Sequence, residues 1–518
     1  MVYIPVGNTL RVVGISVAFM AFFLVGFRLI LKDWAKAGIL CSLLLILFYS
    51  FGHVANYLET QGAPAGLLPF LPSIWLALFL LFSFIIMRAR IPEASSQVLN
   101  LACAALIVIP LASIGWTLAV FSRAESEGPE VLSQIRGDHM ADASMVGLPA
   151  GQMPDIYYIV FDGYERADLL SEYYGYDNTA FINELKDRGF YVAEGSRSNY
   201  LNTNYSLNTS LNMIYYHDFP TPNLLRSKYN LQSNYVTEFL REHGYEIVVF
   251  DSGSDDTNDQ YTDIFVSPNS SETLVEPGIN PFELLLARTT LARLYFGDQL
   301  QGSNATVASP ASGANRELAE RRERITHAFT HLPDFASDES PSFQFAHIFL
   351  PHFPFLYGAG GEELRYHENV NLYWYEVPPE AYVEFYNYQI DYLNQAALSA
   401  IDQILANTSK PVVIILQSDH GDEFFIDWDA PSAVGVSTRS AILNAVYFSD
   451  GDYEGLYPTI TPVNTYRVVF NHWFGTNYPL LADRVFFHEH PVSTPPSKVP
   501  EFIDSCTEFD ICLPDHSS

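Results

Sequence analysis

Four apolar stretches in the first 121 residues constrain the fold of this chain more than any other feature. They span 10–30, 37–51, 68–87 and 99–120. The first, third and fourth approach the roughly 20 residues that a helix needs to cross a bilayer, and the second is shorter. A cleavable signal peptide would explain one stretch but not four, and helices of a soluble domain would carry a polar face. We therefore predict a membrane domain of four transmembrane helices over 1–121.

The basic residues near these stretches predict the orientation of the membrane domain. Arg28, Lys32 and Lys36 flank the first short loop, Arg88 and Arg90 flank the third, and the second loop has neither Lys nor Arg. By the positive-inside rule, the first and third loops are cytoplasmic. The amino terminus and everything after residue 120 are then expected outside. This predicts a multi-pass protein of the cell (inner) membrane with a periplasmic or extracellular domain.

The remainder of the chain is strongly acidic. Residues 1–121 contain 6 of the 27 Lys and Arg and 3 of the 59 Asp and Glu, which leaves 21 and 56 for residues 122–518, a net charge of −35. Such a domain repels polyanions, so we exclude nucleic acid as a partner. Cys506 and Cys512 lie six residues apart in the tail. An oxidising compartment would permit a disulfide between them, and the alternative is two free thiols.

The order of elements after the membrane domain predicts the fold class. Residues 122–153 lack strong periodicity and are predicted to be a linker. Strand patterns then cover 155–161, 189–193, 245–250, 342–350, 412–417 and 442–448. Helical patterns cover 179–188, 235–243, 316–329 and 384–406, and surface loops are expected at 251–280 and 301–315. This alternation predicts an α/β domain over 154–518 with a doubly wound, mainly parallel sheet.

Two of the predicted strands are followed by acidic residues. The tetrapeptide Ser418-Asp419-His420-Gly421 directly follows the predicted strand 412–417. Asp162 directly follows the predicted strand 155–161 and precedes Gly163. Open α/β sheets place their active sites at the carboxyl ends of strands. Carboxylate and imidazole form a ligand pair that suits zinc or manganese. An Asp-His pair alone also occurs as a buried hydrogen-bonded pair, but the second acidic strand end favours a metal site.

Thr203 is a candidate nucleophile. It precedes leucines at 207 and 211, a helical spacing, and so would lie at the positive end of a helix, which favours an anion. A metal-bound threonine alkoxide at this place is able to attack phosphorus. The alternative is that Thr203 only caps the helix.

Three further residues are candidates for substrate contact or proton transfer. His352 follows a predicted strand in a turn framed by prolines, where an imidazole can bind an anionic oxygen or protonate a leaving group. Packing against the neighbouring aromatic residues is the alternative. His347, on the strand itself, is more ambiguous. Arg439 follows the metal motif and either neutralises substrate charge or pairs with one of the many carboxylates.

Taken in order, four motifs resemble the sulfatase-like branch of the alkaline phosphatase superfamily: IVFDGY, SNYLNTNYSLNTSLNM, HIFLPHFPF and QSDHGDE. The segment YNYQIDYLNQAALSAIDQIL is similar to the helix that precedes the last motif in that branch. The resemblance covers about 154–475. It implies a domain of alkaline phosphatase/sulfatase type with one divalent metal ion. Its implied ligands are Asp162, Thr203, Asp419 and His420, with Thr203 also the nucleophile.

The membrane-anchored layout is similar to lipoteichoic acid synthases and phosphoethanolamine transferases. The similarity to these enzymes implies transfer of a phospho-headgroup from a membrane lipid donor to a glycan or lipid acceptor through a phosphothreonine. The metal would be zinc or manganese, with calcium or magnesium as alternatives. Two departures are Asp162, where those enzymes often have Glu, and four predicted spans instead of five.

The expected function is therefore metal-dependent phospho-headgroup transfer or phosphodiester hydrolysis, with His352 assisting the leaving group. One alternative is a sulfatase-type hydrolase of a sugar ester, although the chain lacks the Cys/Ser-x-Pro-x-Arg motif of sulfatases. Another is a catalytically silent module that binds envelope polymers.

Overall fold

The structure is a computed structural model. It describes residues 6–60, 70–89, 153–218, 234–254, 257–258, 262–268, 289–296, 310–335, 340–364, 377–488, 502–514 and 516. The chain divides into two compact units. One consists of Met1–Ser122 with Asn269–Ser312, and the other of Arg123–Pro268 with Gly313–Ser518. The sequence-based division treated 154–518 as one domain, whereas the structure groups Asn269–Ser312 with the N-terminal unit.

The first unit is built from long apolar helices: α1 (Val6–Leu31), α2 (Trp34–Thr60) and α3 (Leu71–Arg88). All three are long and apolar enough to cross a membrane. They leave large apolar side chains exposed, as expected for helices whose solvent is lipid. The unit therefore anchors the chain in a membrane. The fourth predicted span, 99–120, and the predicted linker up to residue 152 lie outside the described residues, and the orientation stays a prediction.

A short piece from later in the chain packs in this first unit. The Leu291 amide donates a hydrogen bond of 2.8 Å to the carbonyl of Phe48 in α2. The Leu291 side chain contacts an apolar cluster that includes Phe51, Ala55 and Leu71. These contacts are the physical reason why the segment belongs with the helices.

The second unit is organised around a seven-stranded sheet in the order β2-β7-β6-β1-β5-β3-β4. Its strands are β1 (Asp155–Asp162), β2 (Tyr191–Val192), β3 (Glu246–Phe250), β4 (Ile264–Val266), β5 (Ser342–Pro351), β6 (Val412–Ser418) and β7 (Asn444–Phe448). Strands β6, β1, β5, β3 and β4 are parallel, and β7 and β2 add an antiparallel edge. The prediction of a mainly parallel sheet is confirmed.

The helices of this unit cover both faces of the sheet, as predicted for a doubly wound domain. They are α4 (Ala167–Tyr174), α5 (Thr179–Asp187), α6 (Thr203–Asn212), α7 (Tyr235–Glu242), α8 (Pro310–His331), α9 (Pro379–Asn407), α10 (Ala433–Ser440), α11 (Pro462–Phe474) and α12 (Ser505–Phe509). Every residue of β1 is buried, and its side chains alternate between two cores. Tyr157, Ile159 and Phe161 face the core formed with α8 and α9. The intervening residues face the core formed with α6, α7 and α11.

Two of the predicted loops contain regular structure. β4 lies within the predicted loop 251–280, because its three residues pair in parallel with the edge strand β3. Helix α8 begins at Pro310, inside the predicted loop 301–315, and proline is well tolerated in the first turn of a helix. A three-residue strand and the first turns of a longer helix carry too little periodicity to be recognised from sequence.

The carboxyl-terminal tail forms a two-stranded sheet, β8 (Phe486–His488) with β9 (Phe502–Asp504). Cys506 and Cys512 form a disulfide, which the sequence had left open against two free thiols. The tail packs with Val436 of α10 in a small apolar cluster.

Candidate metal centre and active site

The candidate site lies at the carboxyl end of the two central parallel strands. Phe161 of β1 pairs with Ser418 of β6, so that the next residues, Asp162 and Asp419, emerge at the same level of the sheet. His420 Nε2 lies 3.3 Å from Asp419 Oδ2 and 3.8 Å from Asp162 Oδ1. The ligand atoms of the three residues all lie within 4.8 Å of one another, and all three side chains are buried. Two acidic strand ends distant in sequence thus meet at one point.

Backbone hydrogen bonds orient the carboxylate of Asp419. Its Oδ1 accepts hydrogen bonds from the amides of Gly163, at 3.1 Å, and His420, at 2.9 Å. Gly163 has a φ of +75°, a conformation that favours glycine and that turns its N–H toward Asp419. With Oδ1 engaged, Oδ2 is directed at His420 and Asp162. Neither Asp419 Oδ2 nor Asp162 Oδ1 has a hydrogen-bond partner within the described part of the chain.

The imidazole of His420 is held with its Nε2 lone pair toward the two carboxylates. Its Nδ1 lies 2.9 Å from the carbonyl oxygen of Gly421, which can only accept a hydrogen bond. Nδ1 therefore carries the proton, an arrangement common in metal-ligating histidines. Burial, and then the charge of Arg439, hold the pKa of His420 well below its usual range, so the ring is neutral. Gly421 packs so tightly against the Thr438 carbonyl that a side chain there would collide with it.

The electrostatics of the site favour a bound cation. Burial raises the pKa of Asp162 to about 7, partly opposed by the charges of Arg321 and Arg439. Burial and the charge of Asp162 raise the pKa of Asp419 to about 8. Two adjacent buried carboxylates without a cation therefore retain protons near neutral pH. A divalent ion would replace those protons, and the two carboxylates with a neutral imidazole form a donor set that fits zinc or manganese.

Thr203 lies beside this cluster and is the first residue of α6. Asn202 is the N-cap of this helix, because its side chain accepts a hydrogen bond from the Asn204 amide. The capping role considered for Thr203 thus belongs to its neighbour. Thr203 Oγ1 lies 3.1 Å from His420 Nε2, and the residue is only partly buried, in contrast to the three carboxylate and imidazole groups. Thr203 is therefore the residue of these four that is not fully buried.

His352 lies at the mouth of the site. Its amide donates a hydrogen bond of 3.1 Å to the carbonyl of Asp162, which ties the turn to the end of β1. Its Nδ1 donates a hydrogen bond to the carbonyl of Phe353, so Nδ1 carries a proton and Nε2 is the nitrogen left for proton transfer. Its Nε2 lies 3.9 Å from Glu423 Oε1, and both side chains are partly exposed. A partly exposed imidazole nitrogen beside a carboxylate is suited to proton transfer.

Arg321 of α8, for which the sequence carried no signal, holds this turn in place. Its guanidinium donates to the carbonyl of Phe349 at 2.7 Å and to that of His352 at 3.1 Å. The guanidinium also lies over the Phe349 ring, 5.2 Å from its centroid. Only the packing of α8 against the sheet brings this side chain to the turn.

Arg439 of α10 is buried and multiply bonded. It donates to the carbonyl of Leu201 at 3.0 Å and to that of Gly421 at 2.9 Å. Its Nη2 lies 3.1 Å from His420 Nε2. The guanidinium therefore connects the segment before Thr203 to the metal motif and directs one nitrogen at the site.

His347, predicted as a substrate contact, lies against the two carboxylates. Its Nε2 is 3.8 Å from Asp162 Oδ2 and 3.7 Å from Asp419 Oδ2. The residue is 2% exposed. A side chain this buried faces the metal-ligand candidates and not the solvent from which a substrate would enter.

The acidic residues that neighbour the motifs have supporting roles in the structure. Asp422 accepts hydrogen bonds from the hydroxyls of Tyr174, at 2.8 Å, and Tyr382, at 2.7 Å. Glu165, which we did not single out from the sequence, is fully buried and accepts the Asp422 amide at 2.9 Å. This buried group holds the loop that follows the Asp-His pair.

Comparisons with known proteins concern the fold. No protein-family model and no curated protein matches the chain. Among solved structures, it is similar to the C-terminal periplasmic domain of EptC from Escherichia coli, with 14% identity over 71% of this chain and 96% of that one, at a TM-score of 0.43. It is also similar to the integral membrane lipooligosaccharide phosphoethanolamine transferase EptA from Neisseria meningitidis. That match has 13% identity over 90% of this chain and 89% of the other, at a TM-score of 0.41.

A third similar structure is a protein of the alkaline phosphatase superfamily from Vibrio parahaemolyticus. It has 10% identity over 70% of this chain and 81% of the other, at a TM-score of 0.38. Phosphoethanolamine transferases and the alkaline phosphatase superfamily are the groups named from the sequence motifs. Identities and scores this low do not assign a function, which has to come from the residues of the site.

Proposed function

We propose that this chain is a membrane-anchored, metal-dependent phospho-headgroup transferase or phosphodiester hydrolase with Thr203 as its nucleophile. The observation that carries the proposal is the position of the Thr203 hydroxyl, 3.1 Å from His420 Nε2, on a residue that is only partly buried. A threonine that serves only the helix would cap it, and Asn202 already does so. The hydroxyl is therefore available for chemistry at the metal-ligand cluster.

The proposed metal ligands are Asp162, Thr203, Asp419 and His420. A bound divalent ion would lower the pKa of the threonine hydroxyl and offset the negative charge of a phosphoryl group. Zinc or manganese suits this mixture of carboxylate and imidazole donors. A solved structure of the similar EptC domain is described as a complex with Zn.

In the proposed first step, Thr203 Oγ attacks phosphorus in line with the leaving group. The hydroxyl loses its proton to solvent, a bond forms between Oγ and phosphorus, and the bond from phosphorus to the leaving oxygen breaks. His352 donates a proton to the leaving oxygen from its Nε2, which lies beside Glu423. The positive end of α6 and the Nη2 of Arg439 favour the added negative charge.

In the second step, His352 accepts a proton from an acceptor hydroxyl or from water. The oxygen so activated attacks the phosphothreonine, and the bond between phosphorus and Thr203 Oγ breaks. Thr203 Oγ takes up a proton from solvent, and His352 keeps the proton of the acceptor, which completes the cycle. A lipid or glycan hydroxyl as acceptor gives transfer, and water gives hydrolysis. Three apolar helices suit a donor that is itself a membrane lipid.

The covalent intermediate provides the test. We expect full-length protein in detergent, incubated with micelles of phosphatidylethanolamine or phosphatidylglycerol, to gain the mass of the phospho-headgroup on the peptide that contains Thr203. Thr203→Ala should gain no mass and lose turnover by many orders of magnitude, whereas loss of a helix cap costs only about 1 kcal/mol of stability. Thr203→Ser should retain measurable activity because the hydroxyl remains.

Thr209→Ala is the matched control, since Thr209 is a buried threonine of the same helix whose hydroxyl has no hydrogen-bond partner among the described residues. It should form the adduct normally. Near-normal turnover in Thr203→Ala would refute the phosphothreonine mechanism and favour attack by a metal-activated water. Released headgroup, as opposed to a modified acceptor, would identify a hydrolase.

A further inference from the structure

His347 is placed by the sheet register on the same side as the candidate metal ligands. It pairs with Val160 of β1, and residues opposite each other in a sheet point to the same face. Asp162 lies two residues beyond Val160 and so shares that face. His347 Nε2 lies 3.8 Å from Asp162 Oδ2 and 3.7 Å from Asp419 Oδ2, beyond hydrogen-bond distance from either. The chemical state of this nitrogen decides what the residue can do.

The hydrogen bonds of the loop after β3 determine which ring nitrogen of His347 carries the proton. The side-chain amide of Asn258 has a fixed orientation, because its Oδ1 accepts the Ser252 amide at 2.8 Å and its Nδ2 donates to Asp251 at 2.9 Å. The Ser252 hydroxyl lies 2.8 Å from the same Oδ1, which has no proton. Ser252 therefore donates its only hydroxyl proton to Asn258.

The next link in this series is Thr257. Its Oγ1 lies 2.7 Å from Ser252 Oγ, and since the Ser252 proton is already used, Thr257 must be the donor in this bond. Thr257 Oγ1 then has only lone pairs left for His347 Nδ1, 3.2 Å away. Nδ1 must carry the imidazole proton. Nε2 consequently carries a lone pair.

The lone pair at Nε2 faces two carboxyl groups that lie beyond hydrogen-bond distance, a gap that a bound cation would fill. His347 Nε2, Asp162 Oδ1 and Asp419 Oδ2 are all buried without a hydrogen-bond partner in the described residues. Unpaired buried donors and acceptors are costly, so their convergence indicates a ligand that is itself a cation.

We infer that His347 is a further metal ligand, through Nε2, and that Thr257 is the residue that orients it. The inference rests on the metal centre of the proposed function but not on phosphoryl transfer. The candidate ligands would then be Asp162, Thr203, Asp419, His420 and His347. His347 would approach the metal from the side of Asp162 Oδ2. A second nitrogen donor favours zinc over magnesium or calcium, which prefer oxygen.

The test measures metal binding without any substrate. Full-length protein in detergent is stripped with a chelator and titrated with Zn²⁺ against a chromophoric competitor. His347→Ala should weaken Zn²⁺ binding by more than the roughly 10- to 100-fold that loss of an outer-shell partner costs. Thr257→Val, which keeps the shape but removes the acceptor, should weaken it by about 10-fold or more, and Thr257→Ser should bind like the wild type.

Two controls keep the inference open to refutation. His472→Ala removes an imidazole that pairs with Asp450 at 2.6 Å and should leave Zn²⁺ affinity unchanged. The visible spectrum of protein saturated with Co²⁺ should change in His347→Ala, which a loss of folding stability alone would not produce. Zn²⁺ affinity within about threefold of wild type in a folded His347→Ala, well below even an outer-shell effect, overturns the inference. A phosphothreonine adduct on Thr203 would remain possible in that case, so the two proposals fail separately.

Discussion

Strand β1 carries a buried aspartate at each end, and the two have opposite surroundings. Asp155, at the amino end, accepts hydrogen bonds from the Ser342 amide at 2.9 Å and from Lys410 Nζ at 3.1 Å. Asp162, at the carboxyl end, faces a second carboxylate, Asp419, whose pKa its charge raises. The first charge is balanced within the fold. For the second, the proposed metal ion would supply the balancing charge.

The surroundings of a buried carboxylate, and not its burial, separate a structural aspartate from a candidate functional one. Burial raises the pKa of both, but at Asp155 the hydrogen bonds and charge of Ser342 and Lys410 act in opposition. At Asp162 only more distant arginines do so. Burial alone therefore does not mark a functional acid, and the identity of the nearest charged neighbour does.

The largest expected effect is a difference between two substitutions that each remove a negative charge, one at each end of β1. Asp162→Asn should lower turnover by more than about 100-fold and abolish tight Zn²⁺ binding, because an amide is a poor ligand and leaves Asp419 as the only buried carboxylate of the pair. Asp155→Asn should change both by no more than about twofold, since its partners lie at the other edge of the sheet. The measurements are headgroup transfer and competitive Zn²⁺ titration. Equal losses in the two variants would remove the distinction between the two ends.

A second effect should appear in stability and not in metal binding. Lys410→Met leaves Asp155 buried without its cation, and we expect the free energy of unfolding to fall by about 3 kcal/mol. Chemical denaturation followed by near-ultraviolet circular dichroism measures this. The double variant Asp155→Asn/Lys410→Met should recover part of the loss because no charge is then left unpaired. A loss of Zn²⁺ affinity in Lys410→Met would contradict the separation of the two ends.

The smallest expected effect is a pH dependence confined to the carboxyl end. The pKa values of Asp162, about 7, and Asp419, about 8, lie above the ordinary value of 3.8, so the folded metal-free protein binds more protons than the unfolded chain between these limits. Its stability therefore falls as pH rises from about 4 to 8. Zn²⁺ replaces those protons, and its stabilising effect should be greater at pH 8 than at pH 6, because fewer protons have to be displaced at the higher pH.

Thermal unfolding with Zn²⁺ or with a chelator at the two pH values tests this expectation. Asp155→Asn should keep the difference between pH 6 and pH 8, and Asp419→Asn should reduce it. The same stabilisation by Zn²⁺ at both pH values would show that these carboxylates are already ionised without metal.

The sequence predicted most of the fold because long periodic patterns determine it. The six predicted strands and the four predicted helices are all present, with bounds that differ by a few residues at most sites. The three-residue β4 and the early start of α8 were missed. An edge strand of this length forms only because β3 offers it unpaired backbone groups, which no local pattern reports.

The candidate site divides in a similar way. The sequence pointed to Asp162, Thr203, Asp419 and His420 through motifs, and the structure brings them together at one end of the sheet. It could not separate Thr203 from Asn202 as the helix cap, since that depends on which side chain turns back to the helix amides. It also gave His347 and Arg439 as substrate contacts, which stay predictions. In the structure both residues are buried beside the metal-ligand cluster.

What the sequence determined by itself is therefore the set of elements and the chemistry at their ends. Apolar runs of fixed length specify helices that can cross a membrane, and alternating β and α patterns specify a sheet covered on both faces. The tertiary structure alone decided the state of each polar group. A buried aspartate can lie beside a lysine, a second aspartate or a hydrogen-bonded histidine, and contacts between distant residues decide which. Lys410 and Asp155, for example, are about 250 positions apart in the sequence. Because the cost of burying a charge depends on its nearest partner, function at this site follows from those distant contacts.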